Sequence, residues 1–329
     1  MSIMKNYIIF DLEWNQSPEG KENSIERMPF EIIELGAVKL DDTLRQVSEF
    51  HCLITPQVYT QLHFKISEVT HMDIQELKQE GRLFAEAIED FLEWCGQDCR
   101  FCTWGSMDLT ELQRNMEYYK MEIPFERPLC YYDVQKLYGL VKGNIREKMS
   151  LDRAVEELGI NQDRPFHRAL DDAYYTGRVL QEMDLRLWEP YLSVDYYWVP
   201  KEKGQEITLN FPTYSKFVSC TYPTKEEVLA DKAVTDLVCQ RCRRMLRKKV
   251  RWFSINQKQY FSLGICPEHG YVRGKIRMKK AENGEFYGVK TIKPVDSEGV
   301  DYLFHKKQEQ RKKRHIRSDM KKVKKSQIE

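Results

Sequence analysis

The 329-residue chain has no apolar run near the roughly 20 residues that a membrane-spanning helix requires, so no membrane span is expected. Its first residues, Met1 to Asn6, lack the basic region and apolar stretch of a secretory signal. The expected location is therefore the reducing cytoplasm, where the nine cysteines favour metal binding over disulfides. Internal repeats are absent, and the net charge is only +1. That near-neutrality conceals a division. Residues 1–190 hold 21 Lys and Arg against 35 Asp and Glu, while the remainder holds 31 against 16, a balance of about −14 and +15. The basic part is the one expected to meet a polyanion, with two solvated surfaces as the plain alternative. At about 150 residues per domain the length suggests two units, and 41% hydrophobic with 31% charged residues describes a globular chain with a real core.

Apolar runs at 7–14, 31–40 and 47–54 read as three consecutive strands. Leu83, Ala87, Ile88, Phe91 and Leu92 then recur at helical spacing, and 100–104 is a short strand before a helix that Ser106 would cap. A fifth strand at 130–133, a helix capped by Ser150 and stopped by Gly159, and a last helix over 170–187 complete a mixed sheet flanked by helices, an α/β fold. Pro190, Pro200, Pro212 and Pro223 among aromatics read as a connector. Thr224 would cap a short helix, followed by a strand-rich, cysteine-bearing segment, and from His305 a Lys/Arg tail has little to bury. The expected divisions are 1–189, a linker at 190–223, a small domain at 224–300 and a basic tail at 301–329, disordered or a frayed helix.

Period-two alternation puts Asp11 and Glu13 on one face of the first strand. Adjacent carboxylates repel unless a cation lies between them, and hard oxygen ligands suit Mg²⁺ or Mn²⁺. Alone, Asp-x-Glu also describes an exposed polar face. Asp108, at a helix start, is an ordinary macrodipole-favoured acid when taken by itself, as are Asp171 and Asp172 after His167.

Taken together and in order, Phe10-Asp11-Leu12-Glu13, the acid Asp108 in 104–108, and His167 followed after four residues by Asp172 and Ala173 resemble the three motifs of the DEDDh exonucleases, a branch of the ribonuclease H-like fold. The resemblance spans roughly residues 5–187. It implies two Mg²⁺ or Mn²⁺ ions held by Asp11, Glu13, Asp108 and Asp172, with Asp11 as the bridge and Asp172 rather than Asp171 as the last ligand. A two-metal centre activates water and stabilises the attacking and leaving oxygens. His167 is then the general base, since a neutral imidazole takes a proton near neutral pH. Arg168 stands where the tyrosine-type relatives carry Tyr, which favours the histidine subtype. The implied product is a nucleoside 5′-monophosphate released from a 3′ end. Segments 31–36 and 149–165 look most like the Eri-type branch, which trims RNA, so single-stranded RNA is favoured over DNA.

In the basic part, Cys239-x2-Cys242 and Cys266-x2-His269 match one closed, structural zinc site of zinc-ribbon type. A redox pair at Cys239 and Cys242, or coincident buried cysteines, would give the same letters; Cys220 has no partner at knuckle spacing, and the remaining cysteines read as core residues. Between residues 271 and 279, Arg273, Lys275, Arg277 and Lys279 alternate with small or apolar residues. As a strand they line one face, a nucleic-acid contact to be weighed against a solvated one. Arg251, Trp252, Phe253, Lys258, Tyr260 and Phe261 add a mixture suited to single strands, unless the aromatics form the ribbon core. The expected function is a 3′-to-5′ exonuclease; a noncatalytic nucleic-acid-binding adaptor and an accessory proofreading exonuclease are the alternatives. No feature of the sequence points to a particular protein partner.

Overall fold

The structure, a computed structural model, describes residues 6–144 and 148–326, without the side chains of Lys21 and of 314–326. It divides into two compact units, residues 1–198 and 199–329.

Within the described residues, the first unit contains strands β1 (Asn6–Asn15), β2 (Glu31–Leu40), β3 (Gln46–Leu53), β4 (Cys99–Thr103), β5 (Cys130–Asp133) and β6 (Ser193–Val194). Their order in the sheet is β3-β2-β1-β4-β5-β6. Pairing of β1 with β2, β2 with β3 and β5 with β6 is antiparallel, whereas β1 with β4 and β4 with β5 is parallel. Parallel neighbours need long crossovers, and helices supply them. The helices are α1 (Phe64–Thr70), α2 (Ile74–Glu80), α3 (Phe84–Cys95), α4 (Met107–Tyr118), α5 (Val134–Val141), α6 (Leu151–Glu157), α7 (Ala169–Gln181) and α8 (Leu185–Trp188).

The sheet is covered on both faces, and β1 shows how the sequence divides them. Tyr7 and Ile9 point into a core with Ala173, Tyr175 and Val179 of α7, while Ile8, Phe10 and Leu12 point into the other with Ile88 and Phe91 of α3 and Leu109 and Leu112 of α4. Continuing the same period of two, Asp11 and Glu13 fall on the α7 side. The apolar stripe of α3, at Phe84, Ala87, Ile88, Phe91 and Cys95, follows the spacing of one buried helix face.

The second unit is a single antiparallel sheet in the order β7-β8-β12-β11-β10-β9. Its elements are β7 (Ile207–Asn210), β8 (Ser215–Val218), α9 (Lys225–Ala230), α10 (Lys232–Thr235), β9 (Arg247–Asn256), β10 (Gln259–Cys266), β11 (Gly270–Lys280), β12 (Phe286–Pro294) and α11 (Ser297–Ser326). On one face Ile276 and Met278 pack with Val228 and Val234 of α9 and α10. On the other, Val250, Phe253, Phe261 and Leu263 pack with Val300 and Leu303 of α11.

Three expectations change. The segment 190–223 is not an irregular linker: β6 pairs with β5 in the first sheet, and β7 and β8 form an edge of the second. Its prolines fall outside these short strands, so they punctuate the chain without breaking a ladder. The tail, expected to be disordered or a frayed helix, continues α11, which starts before it and is tied down by Val300 and Leu303, both buried, and is continued by strong helix formers; its last three residues lie outside the described ones. The expected helix over 170–187 is two, because Asp184 accepts from the N–H of Arg186 and starts α8 anew.

Candidate metal and nuclease site

The parallel pairing of β1 with β4 ends at Ile9 and Cys102. Beyond it the edge of β1 is open, and the start of α4 fills the gap, where Asp108 accepts hydrogen bonds from the backbone N–H groups of Leu12 and of Asp108 itself. From the other side comes α7. Gly36 pairs with Asp11 across β1 and β2, and a Cβ at position 36 would lie 2.0 Å from the backbone nitrogen of Leu170. Only glycine allows the first turn of α7 to rest on β2 this closely.

That approach brings Asp172 to Asp11 and Glu13, whose carboxylate oxygens lie within 4.8 Å of one another, all three residues being partly buried. Burial raises the proton affinity of each of the four acids, and neighbouring carboxylates raise it further. Glu13 is pushed up to about 8, Asp108 to about 7 and Asp172 to about 6, and Asp11 rises well above the usual carboxylate range. A set of hard oxygen donors that resist joint ionisation is the chemistry a divalent cation relieves, so the residues present fit such an ion.

In the sequence, only their spacing from His167 separates Asp172 from Asp171. The structure separates them by partner: Asp171 faces Arg164 at 3.6 Å, whereas Asp172 joins the acidic group. Asp108 borders the group without being one of the three within 4.8 Å. His167 enters through its backbone, donating its N–H to both Asp172 oxygens at 3.3 Å, while the residue itself is exposed. Its φ of 67° is a left-handed conformation that non-glycine residues rarely adopt and that recurs at functional sites.

Some supporting residues were not legible in the sequence. Glu34, 1% exposed and opposite Glu13 in the β1–β2 ladder, accepts from Arg168, from His51 and from the N–H of Ala169. These donors hold its carboxyl below the ordinary range despite burial, so it remains an anion that pins the start of α7. Asn15 and Glu31, paired at the ends of β1 and β2, bind the segment 57–63: Glu31 accepts from the N–H groups of Gln57, Val58 and Tyr59, and Asn15 bonds to Tyr59, Gln61 and His63. In the sequence, a lone acid at Glu31 between Phe30 and Ile32 was the signal for this clamp; Asn15, followed by Gln16, carried none.

The family model for exonucleases, RNase_T, matches residues 8–180. The chain belongs to this exonuclease family. The match contains Asp11, Glu13, Asp108, His167 and Asp172 and ends before the second unit. A comparison with curated proteins found no match. Among solved structures, a full-length 3′-exonuclease is 21% identical with a TM-score of 0.49, covering 59% of this chain and 86% of its own. The nuclease domain of 3′hExo, a DEDDh family member bound to rAMP, is 21% identical at 0.48, covering 59% and 98%. Pop2p of S. pombe, in a form with Mg²⁺ and Mn²⁺ bound, is 18% identical at 0.43, covering 58% and 90%.

Outside the exonuclease domain, Cys239, Cys242, Cys266 and His269 form a second compact group. Cys239 and Cys242 sit in the turn around Arg243, which has φ 60°, and Cys266 and His269 in the β10–β11 turn, where Gly270 has φ 76°. His269 Nδ1 lies 3.6 Å from Cys239 Sγ and 3.5 Å from Cys266 Sγ, and the Sγ atoms of Cys242 and Cys266 are 3.6 Å apart. Tetrahedral zinc has sulfur–nitrogen edges of about 3.6 Å and sulfur–sulfur edges of about 3.8 Å. A disulfide would need about 2.05 Å. The donors therefore fit a closed zinc site, and Cys220 is buried outside it.

The basic ladder falls on one face of β11, as its alternation suggests: Val272, Gly274, Ile276 and Met278 are buried, while Arg273, Lys275, Arg277 and Lys279 occupy the opposite face. Phe253 and Phe261 are buried core residues and offer no exposed ring for stacking. No helix among the described residues is long and apolar enough to cross a membrane.

Proposed function

We propose that this exonuclease is a divalent-metal-dependent enzyme that removes nucleotides from the 3′ end of single-stranded nucleic acid, RNA in preference to DNA, as nucleoside 5′-monophosphates. The observation that carries the reading is the meeting of Asp11, Glu13 and Asp172, with buried Asp108 beside them, where β1 opens between α4 and α7. Bound Mg²⁺ or Mn²⁺ would supply activated water and offset charge on the phosphodiester. The chain's own part is to hold four acids in a partly dehydrated group and to keep α7 seated through Glu34 and Gly36. His167, fixed by its backbone bond to Asp172, takes a proton from the attacking water through its exposed imidazole. The preference for RNA is supported by the likeness of 31–36 and 149–165 to the Eri-type branch. Cys239, Cys242, Cys266 and His269 would hold a structural zinc.

The test is cleavage of 5′-labelled single-stranded RNA and DNA by the purified chain with Mg²⁺, Mn²⁺ or no added divalent ion. The expected result is a ladder shortening from the 3′ end, metal-dependent and faster on RNA. Shortening from the other end, internal cleavage, or equal rates with and without metal would each contradict the proposal.

A further inference from the structure

On the α11 side of the second sheet, the register places Arg273 of β11 between Leu263 of β10 and Lys293 of β12, Lys275 between Phe261 and Thr291, and Arg277 between Gln259 and Val289. α11 covers the apolar β9–β10 part of this face through Val300 and Leu303. The remaining stripe is cationic and half-buried. Arg273 and Lys275 both lie over the ring of Phe261, at 5.9 and 5.7 Å to its centre. Among the described residues, Arg273, Lys275, Arg277 and Lys293 form no ion pair, and the Nε of Arg273 is buried without a hydrogen-bond partner. Burial, reinforced by Arg277, Arg273 and Lys293, pulls Lys275 down to about 8; burial and Arg273 lower Lys293, against the opposing charge of Asp296. A buried donor without an acceptor and mutually repelling cations both cost stability, and one polyanion would relieve both.

We infer that this stripe binds the phosphodiester backbone of a single-stranded nucleic acid through Arg273, Lys275, Arg277 and Lys293. Alternate residues of a strand repeat about every 6.6 Å, so the three β11 cations form a linear row suited to successive phosphates of one extended strand. Tyr271, 37% exposed and on the same face at the end of the row, gives a base a ring on which to stack. The choice of nucleic acid as the polyanion rests on the exonuclease reading; the site itself lies outside the matched domain.

The test is fluorescence anisotropy of the full chain on a labelled single-stranded 20-mer across a salt series, without added Mg²⁺ or Mn²⁺, so that binding is read without cleavage and zinc is left in place. The triple variant Lys275→Gln/Arg277→Gln/Lys293→Gln should bind at least about tenfold more weakly at low salt. Its slope of log affinity on log salt should flatten by about 2, or about 0.7 for each phosphate no longer neutralised. Its unfolding temperature and zinc content should not fall, since the replaced groups have no ion-pair partner to lose among the described residues. Arg273→Gln alone should flatten the slope by about 0.7. Unchanged affinity and slope in both variants would overturn the proposal, as would equal wild-type binding of polyglutamate, which would make the partner an acidic protein. A chain that binds in this way yet cleaves nothing would contradict the exonuclease reading alone.

Discussion

Glu34 and Arg168, 134 residues apart, meet in a two-pronged ion pair: the guanidinium Nε donates at 3.1 Å and a terminal nitrogen at 2.9 Å to the same carboxylate oxygen. Because Glu34 is 1% exposed and faces Glu13 across the sheet, the pair both neutralises a buried charge and fixes α7 over the acidic group. Removing one partner of a buried pair leaves the other charged and uncompensated. Arg168→Ala should therefore lower stability on the order of 3 kcal/mol and slow cleavage. Arg168→Lys keeps the charge but loses the fork, so it should recover much of the stability and less of the rate. Denaturant melts with matched single-turnover assays check this; an unchanged rate in Arg168→Ala would deny the pair any part in positioning.

Gly36→Ala should be more damaging than its size suggests. The added methyl meets backbone of α7 rather than a movable side chain. The expected result is a folded but less stable protein with cleavage reduced at least about tenfold, since a misplacement of about 1 Å can cost about 100-fold. A rate equal to wild type would show that α7 need not rest on β2.

Without divalent metal, stability should fall as pH rises from about 4 to about 8. Asp11, Glu13, Asp108 and Asp172 have folded-state proton affinities raised above the ordinary carboxylate range, Glu13 the furthest of those with a value, to about 8. Across that window the folded chain holds more protons than the unfolded one, so the penalty is absent below the unfolded range and complete above the folded one. Thermal melts from pH 4 to 8 check this. Asp11→Asn with Glu13→Gln should flatten the decline, and Mg²⁺ or Mn²⁺ should reverse it in the wild type; a decline untouched by either would place its origin elsewhere.

Elemental analysis of protein purified without added metal should find one zinc per chain. Cys239→Ser should lose it and lower the unfolding temperature of the second unit by about 10 °C or more, since 1 kcal/mol shifts a domain of about 100 residues by roughly 4–8 °C. No zinc, with an unchanged melt in the variant, would leave the cysteine and histidine group as ordinary packing.

That Asp11 and Glu13 share one face of β1 was legible because period-two alternation is local; which helices cover each face of the sheet was not, since that depends on packing between distant segments. The grouping of Cys239, Cys242, Cys266 and His269 was legible because each pair occupies one tight turn. The bond between Glu34 and Arg168 was not, since it joins elements 134 residues apart and leaves no periodic trace. Likewise β7 and β8, four residues each among prolines and aromatics, carry too short a pattern to separate from a connector. α11 was obscured because its apolar anchors, Val300 and Leu303, precede a long charged stretch that dominates its composition.

The most direct test of the metal-site assignment compares two adjacent acids. Asp171 faces Arg164, while Asp172 lies with Asp11 and Glu13. Single-turnover cleavage of a labelled single strand in saturating Mg²⁺ or Mn²⁺ should fall to background in Asp172→Asn, with the fold intact by circular dichroism, and stay close to the wild-type rate in Asp171→Asn. Wild-type cleavage by folded Asp172→Asn, or equal loss in both variants, would contradict the account.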